Sequence, residues 1–129
     1  MNPIVGLFAG FAVKHFVVDF LLQGPYQWKN KGKLGHPGGL LHSGLHALAS
    51  ALLLWLLALL FPGVFVPATI FVLVAFEFVV HYFTDWGKMN LNAKMGWAAN
   101  THPEFWYLLG LDQFIHTMTY VLMVQWFLV

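Results

Sequence analysis

LLHSGLHALASALLLWLLALLF (40–61) carries no charged residue and only two ionisable ones, His42 and His46. A run of this length and composition meets the roughly 20 apolar residues that a helix needs to cross the hydrocarbon of a bilayer. The two histidines are four positions apart, so they share one helix face, and both lie near the start of the run. An ionisable side chain in lipid is costly, and where one persists it marks a functional site by default.

Outward from this segment the same pattern repeats. Apolar stretches at about 4–23, 66–86 and 105–127 carry His15/Asp19, His81/Asp85 and Asp112/His116, again at four-residue spacing. The chain of 129 residues is 60% hydrophobic and only 9% charged. Soluble domains carry about 25% charge, so this chain cannot clothe a water-soluble globule but suits a bilayer. The reading predicts an all-α, polytopic integral membrane protein, a four-helix transmembrane bundle forming one domain over residues 1–129. Gly24-Pro25 ends the first helix, and Pro62-Gly63 ends the second. Thr101 or Asn100 is expected to cap the fourth, which starts near Pro103. The first segment lacks a basic n-region and contains Lys14, His15 and Asp19, so it reads as a retained helix and not a cleaved signal.

The chain has no cysteine, which excludes disulfides and thiolate metal sites. It has no arginine and a net charge of +1, so no nucleic-acid footprint is visible. Lys29, Lys31 and Lys33 fall in the loop after the first segment, and Lys88 and Lys94 in the loop after the third. The positive-inside rule puts both loops in the cytoplasm and both termini on the non-cytoplasmic side. Trp28, Trp86, Trp97 and Trp106 sit at the same boundary, where amphipathic rings anchor. At 1.5 Å per residue all four pairs lie within roughly 16 Å of the cytoplasmic helix ends.

Histidine with carboxylate is the ligand set of zinc, manganese and non-haem iron. His15, His42, His46, His81 and His116 are therefore candidate ligands, with Asp19, Asp85 and Asp112 as ligands or as orienting partners of the imidazoles. The pairs fit one metal with supporting carboxylates, or two metals bridged by carboxylate. The bland alternative is that buried polar groups pair across the bundle and hold it together. Glu77 lies at nearly the depth of Lys14. It is either that residue's ion-pair partner or a general base raised by burial. Tyr120 reads as core, Gln23 and Gln113 as hydrogen-bond donors near the site or as polar residues of the helix interface, and His36 and His102 as solvated.

The motifs HFVVDFLLQ (15–23), LLHSGLHAL (40–48), EFVVHYFTDWGK (77–88) and DQFIHTMTY (112–120) resemble those of a bacterial family, the domain-of-unknown-function 3307 family. The resemblance covers nearly the whole chain. It implies a small polytopic membrane protein with signature positions at His15, Asp19, Gln23, His42, His46, Glu77, His81, Asp85, Lys88, Asp112, Gln113 and His116. A looser similarity to inner-membrane metal-dependent hydrolases implies hydrolysis. The resulting expectation is a multi-pass protein of the bacterial cytoplasmic membrane, holding a divalent metal near the cytoplasmic side. Its partners would be the lipid bilayer and a lipid-linked or membrane-associated substrate, with Glu77 as general base. The competing expectation is a non-enzyme: an accessory subunit of a membrane complex or a proton or metal-ion carrier. Haem is disfavoured, because three nearby aspartates make a poor haem pocket.

Overall fold

Asn2 opens the first helix by accepting a hydrogen bond from the Ile4 N–H at 2.9 Å, with Pro3 following at a position where its missing N–H costs nothing. In a computed structural model of the chain, which describes residues 2–128, α1 spans Pro3–Phe16. It continues through a π-turn, Val17–Leu21, closed by the Leu22 N–H on the Val17 carbonyl at 2.9 Å. A short α2 follows at Pro25–Trp28, then α3 at Pro37–Leu60. A 3₁₀ turn, Pro67–Thr69, leads into α4 at Ile70–Met95, and α5 runs Pro103–Phe127. Among the described residues the β structure is a single bridge, Phe65 to Leu128.

The long helices close a ring, because α1 packs on α3 and α5, and α4 packs on the same two. One end of the ring is filled by an apolar core that includes Leu7, Phe11, Leu54, Leu73, Met123 and Phe127. The other end buries His42, His46, His81, Glu77, Asp85 and Asp112. Outside, large apolar side chains stand free, with Phe71 81% and Leu59 74% exposed. Apolar surface left in water forfeits about 25 cal/mol per Å², so an exterior of this kind belongs against lipid or another apolar partner.

Three helical stretches are long and apolar enough to cross a membrane: Pro3–Leu21, Pro37–Leu60 and Pro67–Met95. Helix α5 matches them in length, but Asp112, Gln113, His116 and Gln125 lower its overall apolarity.

The helix limits differ from the sequence reading in informative ways. Helix α4 continues past residue 86 to Met95, because nothing in WGKMNLNAK forces a break and one internal glycine costs only about 1 kcal/mol. It stops at Gly96, whose φ of 68° is the left-handed cap that favours glycine. The loop before α5 thus shrinks to residues 96–102. Its cap position falls on His102, not on Thr101 or Asn100. His36 is no idle loop histidine: its ring accepts the Gly38 N–H at 3.0 Å and caps α3. Gly38 itself lets α2 close against α3, since a Cβ there would lie 2.4 Å from the Tyr26 carbonyl oxygen.

Candidate metal centre

Each long helix presents its ionisable residues to the polar end of the ring. On α3, His42 and His46 stand one turn apart and fully buried. On α4, Glu77, His81 and Asp85 form an inward stripe of three successive turns. Helix α5 adds Asp112 and His116, also buried. Asp19 comes from the π-turn, a local widening that is frequent at functional sites. The five imidazoles form one cluster. Ring centroids lie 3.9 Å apart for His46/His81, 4.0 Å for His81/His116, 4.9 Å for His42/His46 and 5.3 Å for His15/His116.

The ring nitrogens and carboxylate oxygens converge more closely than the rings. His42 Nε2 lies 3.1 Å from Asp19 Oδ1, 3.1 Å from His81 Nε2 and 3.2 Å from Asp85 Oδ2. His46 Nε2 lies 3.1 Å from the same Asp19 Oδ1. Asp19, His42, His46 and His81 thus offer four donor atoms within 4.8 Å of one another, and His81, Asp85 and His116 form a second such group. Around a tetrahedral zinc with ligands at 2.0–2.1 Å, donor atoms stand about 3.3–3.4 Å apart, close to the separations found here.

A shell of hydrogen bonds orients these donors. His15 Nε2 is 3.0 Å from Asp19 Oδ2 and 3.0 Å from Gln113 Oε1, while its Nδ1 is 2.8 Å from the Tyr120 hydroxyl. His42 Nδ1 lies 3.3 Å from Gln27 Oε1; a proton on that nitrogen donates to Gln27 and leaves the Nε2 lone pair facing the cluster. Lys31 Nζ is 3.1 Å from Asp85 Oδ2, and Lys88 donates to Asp112 Oδ2 at 2.8 Å. One layer deeper, the Lys14 ammonium is paired with Glu77, donates to Tyr120 at 3.0 Å and faces His46 Nδ1 at 3.4 Å.

The structure sorts the candidates accordingly. Asp19, His42, His46, His81, Asp85 and His116 enter the two donor groups. His15 and Asp112 stand beside them, His15 against Asp19 and Asp112 against Lys88. Glu77 is in neither group and serves as the partner of Lys14. Three participants escaped sequence reasoning. Lys31 falls by sequence in the loop after the first segment but is 7% exposed, and Gln27 sits in the same stretch but is 8% exposed. Tyr120 reads as core yet binds both His15 and Lys14. Only its four-residue spacing from His116 could have hinted at this.

The donor set suits a cation on two further grounds. Asp85 Oδ2 and His116 Nε2 are buried with no hydrogen-bond partner, although Lys31 and His42 lie near the first and Asp112 near the second. Those neighbours are close enough but poorly directed, and buried polar atoms left so are costly. The charges of the cluster also fail to cancel. Asp19, Glu77, Asp85 and Asp112 face Lys14, Lys31 and Lys88, which leaves one negative charge over when the histidines are neutral.

No curated protein and no solved structure shows a match to the chain. The model of one family, described as "Protein of unknown function (DUF3307)", matches residues 7–129. That span includes every residue of the polar cluster, and the chain belongs to this family.

Proposed function

We propose that the chain is a multi-pass protein of the bacterial cytoplasmic membrane. In this reading it holds a divalent ion, zinc, manganese or iron, in a His/Asp centre and hydrolyses a lipid-linked or membrane-associated substrate. The single observation that carries the metal reading is the meeting of His42 Nε2 with Asp19 Oδ1, His81 Nε2 and Asp85 Oδ2 at 3.1–3.2 Å. Gln23 Nε2 stands 3.2 Å from the same nitrogen, and one ring nitrogen cannot serve all four neighbours, whereas a cation shared by His42, Asp19 and His81 would relieve that crowding with Asp85 beside it. Asp19, His42, His46 and His81 would be its ligands, with Asp85 and His116 at its edge.

All four long helices cross the bilayer in this reading. Of the polar residues that make α5 less apolar, Asp112 and His116 face the interior, Gln113 is half-buried and only Gln125 is exposed, while Tyr107, Phe114 and Leu111 on its outer side are exposed and apolar. A fourth crossing also returns the C-terminus to the side of the N-terminus, which the lysine distribution assigns to the non-cytoplasmic face.

A bound divalent cation supplies hydroxide near neutral pH by lowering the pKa of water toward about 7. The chain's own residues supply the rest. Asp19 is fixed by His15 and Gln113, His42 is oriented by Gln27, and Lys88 and Lys31 hold Asp112 and Asp85 in place. A carrier of ions or protons would need polar groups through the full thickness. Beyond Glu77 the interior passes instead into the apolar core around Leu54, Leu73 and Met123. X-ray absorption at the metal edge tests the reading. It should show mixed nitrogen and oxygen ligands near 2.0–2.1 Å with the outer-shell pattern of imidazole. A spectrum of a fully hydrated ion would reject it.

A further inference from the structure

Lys88 holds two aspartates by one oxygen each. Its ammonium donates to Asp112 Oδ2 at 2.8 Å and to Asp85 Oδ1 at 3.4 Å, and Gln113 Nε2 gives Asp112 Oδ2 a second bond at 3.1 Å. The other oxygen of each carboxylate, Asp112 Oδ1 and Asp85 Oδ2, is buried with no hydrogen-bond partner among the described residues. His116 Nε2 is orphaned in the same way. All three residues are 2% exposed. Moving the His116 proton onto Nε2 would aim it at Asp112 Oδ1 alone, and over 3.5 Å, too far for a good N–H···O bond. Lys31 stands 3.1 Å from Asp85 Oδ2 but is poorly directed.

Three buried acceptors left so are costly, and a single water brings only two protons to them. A cation relieves all three. His81, Asp85 and His116 offer donor atoms within 4.8 Å of one another, and Asp112 Oδ1 extends that group through His116. The donor chemistry differs from that of Asp19, His42, His46 and His81. Carboxylate oxygens suit manganese and magnesium, whereas imidazole suits zinc, copper and iron. Lys31 and Lys88 repel an incoming cation, so an ion here is held more weakly than in the first group. A cavity of about 220 Å³ lined by residues of α4 and α5, among them Thr84 and Gly87, reaches Lys88 and Asp112 and gives the ion a path.

We propose a second, exchangeable divalent-cation site, of the manganese or magnesium class, at Asp85, Asp112 and His116, with His81 shared with the first group. Lys88 is its positioning residue, fixing both aspartates by the oxygens that face away from the ion. The part of this site as one half of a two-metal hydrolytic centre rests on the function proposed above. The site itself rests on its own donors.

Titration with Mn²⁺ tests the second site. The full chain in phosphatidylcholine nanodiscs receives Mn²⁺, free Mn²⁺ is read from its electron paramagnetic resonance signal, and resident metal is measured on the same sample by plasma mass spectrometry. One equivalent of Mn²⁺ per chain should bind beyond any resident ion. His116→Ala and Asp112→Asn should each weaken that uptake by at least about 100-fold, since losing a ligand costs more than losing an orienting partner. Both should keep the resident metal and the circular dichroism of the wild type, which shows that they are folded. Asp19→Ala, which strips the first group, should keep the Mn²⁺ step. Absence of uptake would overturn the second site, and resident metal then decides the first reading by itself. Uptake that survives both His116→Ala and Asp112→Asn, or that is lost in Asp19→Ala alone, would overturn it too. Uptake lost in His116→Ala on protein without resident metal would keep the second site and refute the first.

Discussion

The Nε2 atoms of His42 and His81 lie 3.1 Å apart, on neighbouring helices and both fully buried. A single N–H···N hydrogen bond can explain that distance, but not the carboxylates of Asp19 and Asp85 standing equally close to the same His42 nitrogen. The pair marks the point where α3, α4 and the π-turn of α1 meet.

The roles of Asp19 and His15 follow from their positions. Asp19 Oδ1 is a donor in the cluster, and His15 touches only its other oxygen. Asp19→Ala should remove bound metal, and His15→Ala should weaken affinity by about 10–100-fold, the usual cost of losing an orienting partner. Competition against a chelator of graded strength measures both. Equal losses would place His15 among the ligands.

Glu77 is expected to hold the fold and not the chemistry. Glu77→Leu leaves the Lys14 ammonium buried without its carboxylate, a loss of about 3–5 kcal/mol, and the double change Lys14→Met/Glu77→Leu should restore most of it. Unfolding in detergent gives the two values. If Glu77→Leu abolishes hydrolysis while unfolding stays unchanged, Glu77 is a general base after all.

Much of the polar cluster was legible because helical spacing governs it. Residues four apart on an apolar helix must share a face, so spacing alone turns His42 and His46 the same way, and likewise His81 and Asp85. The reach of α4 to Met95 was not legible, since in residues 87–95 Gly87, Lys88, Asn90, Asn92 and Lys94 interrupt the apolar run that marks a membrane span, while the helix itself continues to its cap at Gly96. Lys31 and Gln27 were hidden for a different reason. They come from the turn around α2, whose fold-back depends on Gly38 meeting Tyr26 and on no periodic pattern.

Gly38→Ala should therefore loosen the site from a distance. Its Cβ would lie 2.4 Å from the Tyr26 carbonyl oxygen and 3.1 Å from Asn30 Cβ, and the segment carrying Gln27 and Lys31 must shift. A stability loss of about 1–3 kcal/mol is expected, typical of overpacking. Gly44→Ala, with Phe78 no closer than 4.0 Å, is the control and should be near neutral in the same unfolding assay.

Topology can be read by thiol labelling, as the chain has no cysteine of its own. Leu34→Cys and Asn100→Cys, both exposed, should resist a membrane-impermeant maleimide in spheroplasts, and Ala68→Cys should react. The reverse pattern would invert the orientation. Reaction at Leu34→Cys but not Asn100→Cys would remove a crossing.

Whether the His/Asp cluster holds a metal ion is decided by plasma mass spectrometry of protein purified without chelator. At least one equivalent of zinc, manganese or iron per chain is expected, with His42→Ala reduced to background while still folded by circular dichroism. Wild-type protein carrying no more metal than folded His42→Ala would contradict it.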